Sequence, residues 1–316
     1  MRKHIIILAL GLLMGVGAMA QETETTTTSN WTKKGSVGLN FSQSTFTNWA
    51  AGGQNSLAWM GTLNYGINYA KDDFKWDNTL NAALGYCYFD FDQKPIKSDD
   101  KIEFTSLAGL KATRTLNYSL EFAFRSQFAK GYDYKTDSTN YISKWLAPAY
   151  LSLGLGIEWV PNEHFSINFA PPTGRITIVN DERLASEGAY GVNELDVNDT
   201  VSHGVIQNVK MIRYEFGARL TAKMKYTLFQ NVDYETKLEL FSNYLNHPER
   251  IDVDWQNLLV MKVNSWLNCS FGTHLIYDYD IPFYDFNDAT GEYDLLDPNS
   301  KIQFKEVLSV GFMIKL

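Results

Sequence analysis

The sequence predicts an all-β protein, a transmembrane antiparallel up-and-down β-barrel of about twelve strands. Three observations carry that expectation. Apolar and polar residues alternate over long stretches from Lys34 to Leu316, an apolar N-terminal segment has the anatomy of an export signal, and no second long apolar run follows it. The final stretch shows the alternation most cleanly. Ile302, Phe304, Leu308, Val310, Phe312, Ile314 and Leu316 share one parity, and Lys301, Gln303, Lys305, Ser309, Gly311 and Lys315 the other. A period of two sends these sets to opposite faces of a strand.

Residues 1–20 read as a signal peptide. Arg2 and Lys3 are basic, Ile5 to Val16 is apolar, and Ala18-Met19-Ala20 is a small-x-small cleavage site before Gln21. The apolar part is shorter than the roughly 20 residues a membrane-spanning helix needs. No cysteine follows the cleavage site, which argues against a lipid anchor. Residues 21–33 read as a polar, Thr-rich linker and 34–316 as the barrel domain.

Composition narrows the class further. Aromatic residues make up 14% of the chain, yet mean hydropathy is only −0.25. A helical membrane protein is excluded, whereas a barrel suits both figures because its alternating faces cancel in any average. The formal charge of −8 becomes two units more negative without Arg2 and Lys3, which argues against nucleic acid as a partner. Cys87 falls on a polar parity and Cys269 on an apolar one, so the pair is expected to stay unbridged. Nothing resembles a metal or cofactor site.

Period-two stretches place strands near 35–43, 55–70, 73–91, 101–115, 118–131 and 147–160. Six more lie near 163–179, 207–223, 226–244, 252–265, 267–281 and 301–316. Their connections alternate in length. Tight turns are expected at Lys71-Asp72, around Asn117, at Pro161-Asn162-Glu163, near Met224-Lys225 and around Ser265, with long loops between them. Outer-membrane barrels have short periplasmic turns, longer external loops and an even strand number. This rhythm therefore implies an outer-membrane location with both termini periplasmic.

Aromatic spacing supports the same reading. Trp59 and Tyr69, Trp76 and Tyr86, and Tyr118 and Phe128 are each ten residues apart on an apolar parity. Ten tilted strand residues rise about 26 Å, close to the roughly 25 Å between the aromatic girdles of such barrels. A soluble sandwich would bury the apolar parity instead. Strand length and the wide lumen of a twelve-strand ring favour the inverted arrangement, with apolar groups facing lipid.

Residues 31–56 contain Trp31-Thr32-Lys33-Lys34-Gly35, Leu39-Asn40-Phe41-Ser42-Gln43-Ser44 and Phe46-Thr47-Asn48-Trp49-Ala50-Ala51-Gly52-Gly53-Gln54-Asn55-Ser56. A second block runs Pro172-Thr173-Gly174-Arg175, Val179-Asn180-Asp181, Gly188-Ala189-Tyr190-Gly191-Val192 and Arg213-x-Glu215-x-Gly217. Both resemble an uncharacterised Bacteroidetes-type outer-membrane β-barrel family catalogued as a domain of unknown function. The resemblance implies a barrel and a location, with no activity to carry over. Trp49, Gly52, Gly53, Arg175 and Tyr190 stand out as loop candidates. Trp49 is either an interfacial anchor or a contact for an external partner.

The polar parity carries charges of both signs. Glu121, Arg125, Arg213, Glu215, Arg219, Asp233, Glu235 and Lys237 are the expected lumen-lining residues. Such residues either form a salt-bridged plug or line a water-filled pore. The long loop 180–206, with a candidate helical turn at 181–187, could fold into the mouth as a gate. An enzyme is not expected. No G-x-S-x-G run occurs, and His274 stands about 13 Å from Ser270 and Asp278 along its own strand. The expected function is a narrow channel or small-solute transporter, in contact with outer-membrane lipid. A structural or partner-binding component alongside other outer-membrane proteins is the alternative.

Overall fold

The computed structural model describes residues 29–45, 54–89, 94–134, 137–192, 209–281, 284–287, 292–295 and 302–316. The described strands, in chain order, begin with β1 (Trp31–Ser44), β2 (Ser56–Lys71), β3 (Phe74–Phe89), β4 (Ile96–Lys111) and β5 (Leu116–Ser126). They continue with β6 (Gly131–Asp133), β7 (Asp137–Ser143), β8 (Ala149–Asn162), β9 (Phe165–Ile178) and β10 (Ile212–Phe229). The remainder are β11 (Val232–Asn243), β12 (Ile251–Lys262), β13 (Leu267–Tyr277), β14 (Tyr284–Asn287), β15 (Glu292–Leu295) and β16 (Gln303–Lys315). Twelve of them close into one antiparallel barrel, ordered β1-β16-β13-β12-β11-β10-β9-β8-β5-β4-β3-β2. Pairs β6–β7 and β14–β15 are separate hairpins within long connections, too short to register as period-two stretches.

A single closed ring rules out the sandwich. Its faces are inverted relative to a soluble protein. On β8, Leu153, Leu155 and Ile157 are 54%, 57% and 49% exposed, while Glu158 beside them is 4% exposed. Similar outward apolar residues occur on β9, β10, β12 and β16. This is the face arrangement of a transmembrane barrel, with apolar side chains on the outer wall and polar side chains converging on the axis.

Aromatic residues mark both edges of that wall. At the tight-turn end Trp31, Tyr69 and Trp76 cluster, with ring centroids 4.9 and 6.0 Å apart from Trp31. Trp159 packs edge-on against Phe165 at 6.0 Å. At the long-loop end Trp59 lies 5.7 Å from Tyr86, and Phe128 stacks on Trp145 at 6.2 Å. Trp59 and Tyr86 are register partners, as are Tyr69 and Trp76, so each girdle is built from cross-strand pairs.

Several boundaries differ from the sequence expectation. β1 begins at Trp31, three residues before residue 34. The turn expected near Met224-Lys225 lies at Gln230-Asn231, because β10 runs on to Phe229. Asn231 supplies the positive φ of 65° that this turn requires, a local signal that alternation alone overlooks. The turn expected around Asn117 occupies 112–115, where Thr113 Oγ1 accepts the Leu116 N–H at 3.1 Å. Asn117 is a strand residue instead, donating to Glu158 at 3.1 Å.

β9 contains Pro171 and Pro172, which have no N–H to give the ladder. Its register shifts on both flanks there, against β8 and against β10. Thr173 Oγ1 fills part of the gap by donating to the Ala170 carbonyl at 2.8 Å. The strand thus absorbs a turn-like composition as a bulge and continues.

After β9 the chain forms α1 (Glu182–Ser186) and a 3₁₀ turn at Ala189–Gly191. Asp181 caps α1, accepting the Leu184 N–H at 3.0 Å. Val179, Leu184, Ala185 and Val192 bury against Ala147 as a small core between loop and barrel end. The signal-like residues 1–20 lie outside the described residues, as do 193–208 of the long loop.

Candidate functional site

The site is the lumen, and its side chains sort by height. At the long-loop mouth Arg175 of β9 donates through Nε to Glu215 at 2.8 Å and reaches Asp252 at 2.7 Å. Arg213 binds Glu215 at 3.2 Å and Asp280 at 2.8 Å. Arg175 also lies 4.1 Å above the Phe241 ring. Expected among the loop residues, Arg175 is therefore a lumen residue: the β9 bulge lets the strand run past Pro172-Thr173-Gly174 and carry it inward. Glu215, Asp252 and Asp280 bring carboxylate oxygens within 4.8 Å of one another. The two guanidiniums already occupy that space, so the cluster is an ion-pair knot.

The loop after β9 closes on this knot. Gly191 has φ of +69°, and a Cβ there would meet the Asp280 carbonyl oxygen at 2.5 Å and Arg213 Nη1 at 2.7 Å. Tyr190 turns into the lumen beside Tyr150 and donates its hydroxyl to the Ile142 carbonyl at 2.9 Å. Burial pushes its phenol above the ordinary value. On the loop's other side Asp181 accepts from Lys144 at 2.6 Å and from Tyr141 Oη at 2.7 Å. Burial alone would raise this carboxyl, but those bonds and the Leu184 amide outweigh it and hold it at about 2. Trp49, Gly52 and Gly53, the other loop candidates, lie outside the described residues.

Half-way down, one wall is packed. Glu121 and Arg219 are 1% and 2% exposed and pair at 3.3 Å. Asn168 donates to Glu121 at 2.6 Å and accepts from Ser119 at 2.6 Å. On this side, formed by β5, β8, β9 and β10, salt-bridged and hydrogen-bonded side chains fill the lumen.

Across the axis the arrangement differs. Arg125 of β5 pairs with Asp254 of β12 and lies 4.9 Å over the Tyr150 ring. Gln256 Nε2 reaches Glu103 of β4 at 3.5 Å, and these strands are diametrically opposed in the ring. Beside these bridges runs a cavity of about 950 Å³. Its walls include Glu163, His164 and Lys225 at the tight-turn end and Asp99, Lys305 and Tyr190 at the other. Lys237 lines it and binds Glu239 at 3.3 Å.

Asp233 and Glu235 sit lower than the other expected lumen residues. Asp233 pairs with Lys262 and accepts from Thr227 at 2.8 Å near the β10–β11 turn. Glu235 pairs with Lys225, which is 70% exposed at the side chain.

His274 has a partner that strand-by-strand reading misses. Its Nε2 lies 2.9 Å from Asp254 Oδ1 on the adjacent strand. Ser270, the nearest hydroxyl considered from sequence, pairs with Ser309 at 2.8 Å instead. The signal that could have found Asp254 is strand register, which alternation does not supply.

Residues 41–132 match a family described as "Protein of unknown function (DUF3078)". That span includes the whole Phe46–Ser56 signature and stops before the second block. No curated protein matches the sequence. Among solved structures, the NanC porin is 9% identical at a TM-score of 0.36, covering 88% of this chain and 98% of its own. An outer membrane channel from Pseudomonas putida F1 is 10% identical at 0.39, covering 93% and 100%. A Pseudomonas aeruginosa FadL homologue is 9% identical at 0.29, covering 90% and 89%.

Proposed function

We propose that this barrel sits in an outer membrane, with its tight turns periplasmic, and acts non-enzymatically as a narrow conduit for small polar solutes. The observation that carries this reading is the cavity of about 950 Å³ whose lining reaches from one rim of the barrel to the other. A polar wall of this kind supports passage of hydrated solutes, and the flanking charges bias which of them enter. The packed Glu121–Arg219 side and the Arg125–Asp254 bridge keep the free section small. The loop bearing Tyr190 and Gly191 narrows the outer mouth.

Planar-bilayer recording of the purified full chain tests the proposal. Discrete conductance steps are expected. Absence of ion flux, both from the intact chain and from one lacking residues 182–192, would reject it.

A second reading, a structural or partner-binding component of an outer-membrane assembly, draws on the β6–β7 and β14–β15 hairpins, which add strand edges outside the barrel. It expects stoichiometric co-purification of another membrane protein. Recovery of the barrel alone from native membranes would count against it.

A further inference from the structure

Register places six lumen-facing residues side by side on consecutive strands. Ser166 of β9 pairs with Lys223 of β10, which pairs with Lys237 of β11. Lys237 is opposite Gln256 of β12, Gln256 opposite His274 of β13, and His274 opposite Lys305 of β16. All six line the same cavity. Directly paired residues share a face and stand about 5 Å apart, so the row is continuous. Five steps of about 4.8 Å on strands tilted about 40° climb roughly 15 Å along the axis. The row rises from Ser166 near the tight turns to Lys305 near the long loops.

Its chemistry is one-sided. Every member can donate a hydrogen bond and none is acidic. Lys223 and Lys237 are like charges directly opposite one another, an arrangement that costs stability unless something else uses it. The Lys223 ammonium makes no hydrogen bond or ion pair among the described residues, while Lys237, His274 and Lys305 each touch one acid. Those acids, Glu239, Asp254 and Asp99, all belong to the long-loop side of the row. On the tight-turn side the next registered positions are Lys225, Glu235, Leu258, Gly272 and Val307, where the single acid is already held by Lys225. The nearby Glu121 and Glu158 are likewise taken, by Arg219 and by Lys75 at 2.6 Å.

We infer that this row is a path for small anions, carboxylate or phosphate compounds, with Lys223 and Lys237 as its principal binding station. The inference rests on the conduit reading and adds the solute class. An anion entering from the tight-turn side meets free ammonium donors at Lys223, then moves between register neighbours without leaving hydrogen-bonding reach. Charge-assisted donors spaced one strand apart give sites strong enough to enter and numerous enough to leave.

Two measurements test it. In a bilayer under a potassium chloride gradient, the wild-type reversal potential should report chloride preference, and Lys223→Glu should shift it toward potassium. Equilibrium binding of radiolabelled inorganic phosphate to the detergent-solubilised full chain should saturate. Lys223→Gln and, separately, Lys237→Gln should each weaken it at least about tenfold, the scale of one lost charge-assisted hydrogen bond. Lys262→Gln removes the same charge outside the row and should leave binding unchanged. Potassium preference, or an unaltered reversal potential in Lys223→Glu, overturns the anion path while leaving the conduit intact. Absent conductance overturns the conduit, and phosphate binding then decides the station alone: no saturable binding by wild-type protein, or binding as tight as wild type in both lysine variants, rejects it. A single variant that fails to fold is replaced by the other.

Discussion

Arg125 on β5 and Asp254 on β12 meet across the lumen although their strands stand five places apart in the ring of twelve. Such a chord crosses the interior, with the packed Glu121–Asn168–Arg219 network on one of its sides, and Arg125 itself forms part of the cavity wall. Arg125→Ala removes the chord and leaves Asp254 held by His274 and Gln256. Single-channel conductance should rise by roughly twofold, since the constriction widens without loss of the wall. An unchanged conductance would place the limiting section elsewhere.

Arg219 and Glu121 are a buried pair rather than a bridge through water. Arg219→Met should strand the Glu121 charge and cost about 3–5 kcal/mol, read as earlier unfolding in detergent. Replacing both, Glu121→Leu with Arg219→Met, should recover most of that loss. A double variant as unstable as the single one would contradict the pairing.

The loop carrying Tyr190 should loosen at acid pH through Asp181. Its folded pKa of about 2 lies below the ordinary 3.8. A depressed carboxyl stabilises the folded state fully above the ordinary value and loses that contribution as pH falls through the folded one. Amide exchange over 182–192, corrected for its intrinsic rate at each pH, should therefore accelerate between about pH 4 and pH 2. Asp181→Ala should accelerate it at neutral pH, by a cap loss of about 1 kcal/mol.

Gly191 tests whether the loop is held against the mouth. Valine there meets both the left-handed backbone and the Asp280 carbonyl, a strain of about 1–3 kcal/mol. Protease cleavage within 182–192 should speed up while barrel unfolding stays unchanged. Equal cleavage rates would mean that the loop does not depend on this contact.

The outer wall gives the simplest test of orientation. Leu155, central in β8 and 57% exposed, should meet lipid. Leu155→Arg should cost about 2–4 kcal/mol, the penalty for a cation near the bilayer midplane. A neutral effect would mean that this face is wet.

Strand number, the inverted faces and the aromatic bands are all legible in the order of residues along the chain. All three follow from a backbone that sends successive side chains to opposite sides, a property each strand expresses alone. The same rule exposed the charged parity and therefore most of the lumen. It could not pair its members. His274 has no acid within reach along β13, yet Asp254 stands 2.9 Å away on β12. Arg175 groups with the loop residues through the block it shares with Val179-Asn180-Asp181, although its own strand is legible; register against both neighbouring strands places it beside Glu215. The donor row at 166, 223, 237, 256, 274 and 305 has no regular spacing in the chain. It emerges when the folded strands lie side by side, because register accumulates the length of every turn and bulge between one strand and the next.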